Sequence, residues 1–98
     1  MAKLTWTHES ERWLKDIYDY IAEDDPIAAN KVVDGIYEKA QILLTHPQIG
    51  YQYEHSSNED IRILLYGHYR ITYLLKSNEE ISILGVFHGA LQIQNYLI

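Results

Sequence analysis

Between Arg62 and His88 the chain reads Arg-Ile-Leu-Leu-Tyr-Gly-His-Tyr-Arg-Ile-Thr-Tyr-Leu-Leu-Lys-Ser-Asn-Glu-Glu-Ile-Ser-Ile-Leu-Gly-Val-Phe-His, three apolar strand-like runs in close succession. The breaks, Tyr66-Gly67-His68 and Ser77-Asn78-Glu79-Glu80, suit hairpins, so strands are expected at Ile61–Tyr66, Tyr69–Lys76 and Ile81–His88. A charged side chain in an apolar strand costs free energy unless it is paired or faces a groove. Arg62, Arg70 and His88 are therefore the first site candidates. On the middle strand, Tyr69, Ile71, Tyr73 and Leu75 form the better core face, which turns Arg70, Thr72 and Leu74 to the other side. In the last strand both parities are apolar, and alternation leaves its facing open.

Upstream, Lys3 to Thr7 alternates as a half-buried strand, and Thr7 or Ser10 can cap a helix begun there. Trp13, Leu14, Ile17, Tyr18 and Ile21 then recur at spacings of three and four, a helix ending near Glu23. Asp25-Pro26 is a helix restart, because Asp accepts orphan backbone N–H bonds and Pro tolerates the first helical position. The second helix is expected to reach about Thr45, with Pro47 and Gly50 marking its exit. Residues 50–60 read as a polar connection with a short strand at Tyr51 to Tyr53. The expected fold is α+β, in the order β-α-α-β-β-β, an antiparallel sheet packed on an N-terminal helical hairpin. With 98 residues, one domain spanning 1–98 is expected.

The formal net charge is −6, and residues 1–50 hold nine carboxylates against five Lys or Arg. That balance argues against direct DNA binding by this chain. No stretch approaches the roughly 20 apolar residues that span a bilayer, so no membrane partner is expected. There is no cysteine, and His8, His46, His55, His68 and His88 lack metal-ligand spacing. Neither a metal nor another cofactor is expected. Absence of a signal-peptide pattern and of cysteine makes the cytoplasm the expected location. Nine tyrosines suit the edge of a small core, the commoner place for any one of them, or a protein interface, for which Trp13, Tyr20 and Tyr37 on the helices are the candidate partner-binding residues.

Leu4-Thr5-Trp6-Thr7, the helix closing on Tyr20-Ile21, the Asp25-Pro26-Ile27-Ala28-Ala29 restart, Pro47 to Gly50, Arg62, Tyr69-Arg70-Ile71-Thr72-Tyr73 and Val86-Phe87-His88-Gly89 together resemble the RelE/ParE toxins of type II toxin–antitoxin, or plasmid stabilisation, modules. The likeness is greatest to the ParE branch. It implies a growth-inhibiting toxin held by a cognate antitoxin on Trp13, Tyr20 and Tyr37. ParE-like members inhibit DNA gyrase by protein binding, for which Arg62, Arg70, His88 and Tyr96 would form the target-binding set. RelE-like and YoeB-like relatives instead cleave mRNA on the ribosome. Under that alternative Glu54 or His55 would be the base, His88 the acid and Arg70 the phosphate clamp, the three roles that 2′-OH attack requires. ParE-like chains usually carry arginine just after His-Gly, whereas here Ala90-Leu91-Gln92 follow Gly89. A degenerate, non-toxic member is the third reading.

Overall fold

The computed structural model describes residues 2–54 and 57–88 of the chain. β1 (Lys3–Trp6) leads into α1 (His8–Ala22) through Thr7. The Thr7 side chain accepts the Ser10 N–H bond at 3.2 Å, and its hydroxyl donates to the Ile83 carbonyl at 2.6 Å. One residue thus caps a helix and ties its start to the sheet; a cap of this kind is worth about 1 kcal/mol. α2 (Pro26–Ala40) begins as expected, with Asp25 Oδ1 accepting from the N–H groups of Ile27 and Ala28. Near the far end of α2, the Tyr37 hydroxyl donates to Glu11 in the first turn of α1 at 2.7 Å. The helices are therefore antiparallel neighbours.

α2 stops at Ala40, five residues short of the expected Thr45, and the chain tightens into a 3-10 turn over Gln41–Leu44. Such tightening satisfies the last carbonyls of a helix without extending it. β2 (Tyr51–Gln52), β3 (Ile61–Tyr66), β4 (Tyr69–Ser77) and β5 (Glu80–His88) complete the described chain, close to the expected spans. The strand order is β1-β5-β4-β3-β2. The α+β class holds, with one difference. β1 pairs with β5 in parallel, so the sheet is mixed rather than wholly antiparallel. A first strand whose chain leaves through the helical pair before the meander returns has no hairpin to reverse it.

The main core lies between helices and sheet. Leu14, Ile36, Ala40 and Leu43 meet Ile71, Tyr73, Leu75, Ile81, Ile83 and Val86. Full burial of one such aliphatic side chain contributes about 1.5–3 kcal/mol. Gly35 in α2 admits Tyr66, because a Cβ there would stand 1.9 Å from the Tyr66 hydroxyl. On the other face, Ile63 and Phe87 make a second cluster against which Tyr53 packs, and Trp13 of α1 meets it at the β5 edge that β1 leaves uncovered beyond Ile83.

The facing of β5 is settled by a bulge. Thr72 pairs with Gly85 and Tyr73 with Ile83, which leaves Leu84 as an extra residue opposite no partner. Ile81 and Ile83 face the helices, and after Leu84 the parity flips so that Val86 and His88 face them too. Gly85 and Phe87 take the opposite face, where the Phe87 ring lies over Gly85. A Cβ on Gly85 would come within 2.7 Å of that ring.

Candidate functional site

The three cationic or titratable strand residues occupy different environments. Arg62 pairs with Tyr73 across the β3–β4 ladder and so stands on the helix side at the sheet border. Its Nε donates to Asp60 Oδ1 at 3.1 Å, and Nη1 donates to the carbonyls of Gln48 at 3.0 Å and Gly50 at 3.1 Å. The guanidinium binds the β2 approach to β3. Tyr73 reinforces the same junction, donating to the Pro47 carbonyl at 2.8 Å and accepting the Gly50 N–H bond at 2.9 Å. Burial pushes the Tyr73 phenol pKa up from its usual value, and it stays neutral to act as donor. Arg62, expected to meet a target, is directed inward by these contacts.

Arg70 pairs with Phe87 and Leu65, so it lies on the face away from the helices, as the alternation of β4 predicts. Its guanidinium donates to the Tyr51 hydroxyl. Among the described residues no carboxylate forms an ion pair with it. Tyr51 and Leu65, both about half exposed, border it. This gives a cation framed by an aromatic and an aliphatic side chain. Tyr51 as its partner was not singled out from the sequence; its two-residue separation from Tyr53 on a short strand was the available signal.

His88 pairs with Tyr69 on the helix side, with ring centroids 5.4 Å apart, and lies 5.9 Å from the His68 ring. Register thus places Arg70 and His88 on opposite faces of the sheet. Without the bulge, the alternation that turns Ile81 and Ile83 toward the helices would have put His88 on Arg70's face. Glu54 is exposed beyond β2. His55, Tyr96 and the Gly89-Ala90-Leu91 segment lie outside the described residues.

His88 and Tyr69 open into a cleft of about 340 Å³ between α1 and the end of the sheet. Trp13, Asp16, Ile17 and Tyr20 line it from α1, and Val86 from β5. Trp13 also meets Phe87 edge-on, centroids 4.8 Å apart. Tyr20 is 79% exposed, although it is a large aromatic. Tyr37, the third residue expected to bind a partner, stands elsewhere. It packs on Trp6 at 4.6 Å and is held by Glu11. Asp16, Ile17 and Tyr69 were not singled out as site residues, although Asp16 and Ile17 come after Trp13 at the three- and four-residue spacings that share a helical face.

Among the described residues no group of acidic, histidine or cysteine side chains is placed to hold a metal, and no helix is long and apolar enough to cross a membrane. A family model described as the ParE toxin of the type II toxin–antitoxin system, parDE, matches residues 4–93. No curated protein matches the sequence. A solved structure of the chromosomal ParDE TA system from P. aeruginosa contains a chain similar to this one, with a TM-score of 0.72 and 25% identity, over 92% of this chain and 98% of that one.

Proposed function

Since the chain belongs to the ParE toxin family of type II toxin–antitoxin systems, we propose that it arrests growth by binding DNA gyrase and that a cognate antitoxin neutralises it. What carries the choice of protein binding over catalysis is the separation of Arg70 from His88 by the sheet. Cleavage through a 2′-OH needs base, acid and phosphate clamp to converge on one phosphate, each within about 2.6–3.2 Å of the group it serves. Two side chains on opposite faces do not share a phosphate. In this reading Arg70, with Tyr51 and Leu65 beside it, contacts the target. A partly desolvated arginine beside aromatic surface is the kind of anchor that dominates protein interfaces. Trp13 and Tyr20 receive the antitoxin, while the bonded position of Tyr37 makes it a support for the helix pair.

The test is pulse labelling of DNA and protein synthesis in the minutes after the chain is induced without a partner. DNA synthesis should fall first. An earlier fall in protein synthesis would favour the mRNA-cleaving alternative, and unaffected growth would favour a non-toxic member.

A further inference from the structure

The cleft beside α1 combines aromatic walls with a carboxylate, Asp16, that forms no ion pair among the described residues. Trp13 and Tyr20 are seven residues apart on α1, which separates their Cα atoms by about 10.5 Å along the axis. Two turns apart, both side chains stand on the same face of the helix. Asp16 sits between the two rings in sequence and lines the same cleft. It forms no ion pair among the described residues; Lys15, whose charge also feels Asp16, pairs with Asp19 at 2.7 Å. Arg12 and Glu9 share a neighbouring dip with Asp16. Tyr69 adds a third ring. Its hydroxyl pKa is raised by burial, with the Tyr20 phenol nearby adding to the effect, so the ring remains neutral.

We propose that this cleft receives a lysine or, better, an arginine side chain from a basic segment of the protein partner that covers α1. This rests on the antitoxin reading above and names the chemistry of the residue that anchors it. Arginine is favoured because its planar guanidinium stacks on aromatic faces while donating to a carboxylate. Charge complementarity points the same way. The chain carries a net −6, and Glu23 and Asp24, exposed just past the end of α1, add acidic groups beyond Asp16. An apolar anchor would fill the cleft but leave Asp16 desolvated without a partner, at a cost.

The experiment titrates the full chain with acetyl-arginine methylamide, its citrulline analogue and its leucine analogue, read by NMR at the Trp13 indole N–H and the Tyr20 ring. The arginine probe should bind saturably, on the order of 1 mM, with the citrulline probe at least about fivefold weaker and Asp16→Asn removing the difference. Both Asp16 and Tyr20 are exposed, so Asp16→Asn and Tyr20→Ala leave the fold intact. Equal binding of arginine and citrulline, tighter binding of leucine, or no saturable shift would each overturn the proposal. In parallel, affinity for the cognate antitoxin is measured. Normal binding to wild type, undiminished in both variants, removes the cleft from the interface while leaving the antitoxin reading in place. No binding to wild type removes that reading, and the arginine titration then decides the cleft alone.

Discussion

Arg62 and Arg70 give the same signal in sequence, a cation inside an apolar strand, and the structure treats them oppositely. Arg62 reaches Asp60 and two main-chain carbonyls, and its side chain is only 15% exposed. Arg70, half-buried, hydrogen-bonds one phenol among the described residues. A cation saturated by carboxylate and carbonyl partners holds a junction together. A cation whose described partner is a neutral hydroxyl retains most of its charge for something outside the chain. Under the proposed function, burial cost alone does not mark a functional charge; the chemistry of its partners separates a junction cation from a target contact.

The comparison breaks if the two arginines respond alike to truncation. Arg62→Ala should have the largest effect on stability, about 2–4 kcal/mol by chemical denaturation, because it takes the ion-pair partner from Asp60 and the donor from two carbonyls. Tyr73→Phe loosens the same junction and should cost about 1–2 kcal/mol, since the Gly50 N–H and the Pro47 carbonyl both lose their partner. A smaller effect appears at high pH. Burial, and then the hydrogen bond to Glu11, push the Tyr37 pKa from 10.0 to about 12. The neutral phenol is favoured in the fold, so this contribution is intact below pH 10 and is lost as pH rises through about 12. Denaturation midpoints should fall across that window, less steeply in Tyr37→Phe. Smallest of all, Arg70→Ala should change stability by no more than about 0.5 kcal/mol while abolishing growth arrest. Growth arrest that persists in this folded variant would take Arg70 out of the mechanism.

Much of the fold was legible because caps and periodicity act locally. Thr7 and Asp25 announce their helices, and the strand ends fall within a residue of the turn signals. The face of Arg70 could be read from the alternation of β4. What escaped were features decided by other parts of the chain. The parallel pairing of β1 with β5 depends on the return path of the meander. The early stop of α2 at Ala40 comes with a 3-10 turn whose Leu43 is buried in the core. Leu84 is the most instructive case. A single inserted residue reverses every later side chain of β5 and carries His88 away from Arg70, yet nothing in Ile-Leu-Gly-Val marks which residue is extra. The acidic partner of Arg62 stands two residues before it and was readable in principle. Its carbonyl partners were not, because Gln48 and Gly50 come from across the sheet border.

The proposed contact with DNA gyrase is decided by adding the purified, antitoxin-free chain to purified gyrase and following DNA supercoiling. Supercoiling should stop in the presence of the wild-type chain, continue with Arg70→Ala, and recover when antitoxin is mixed in beforehand. Unimpaired gyrase, together with mRNA cleavage when the same chain is added to translating ribosomes, would contradict the account.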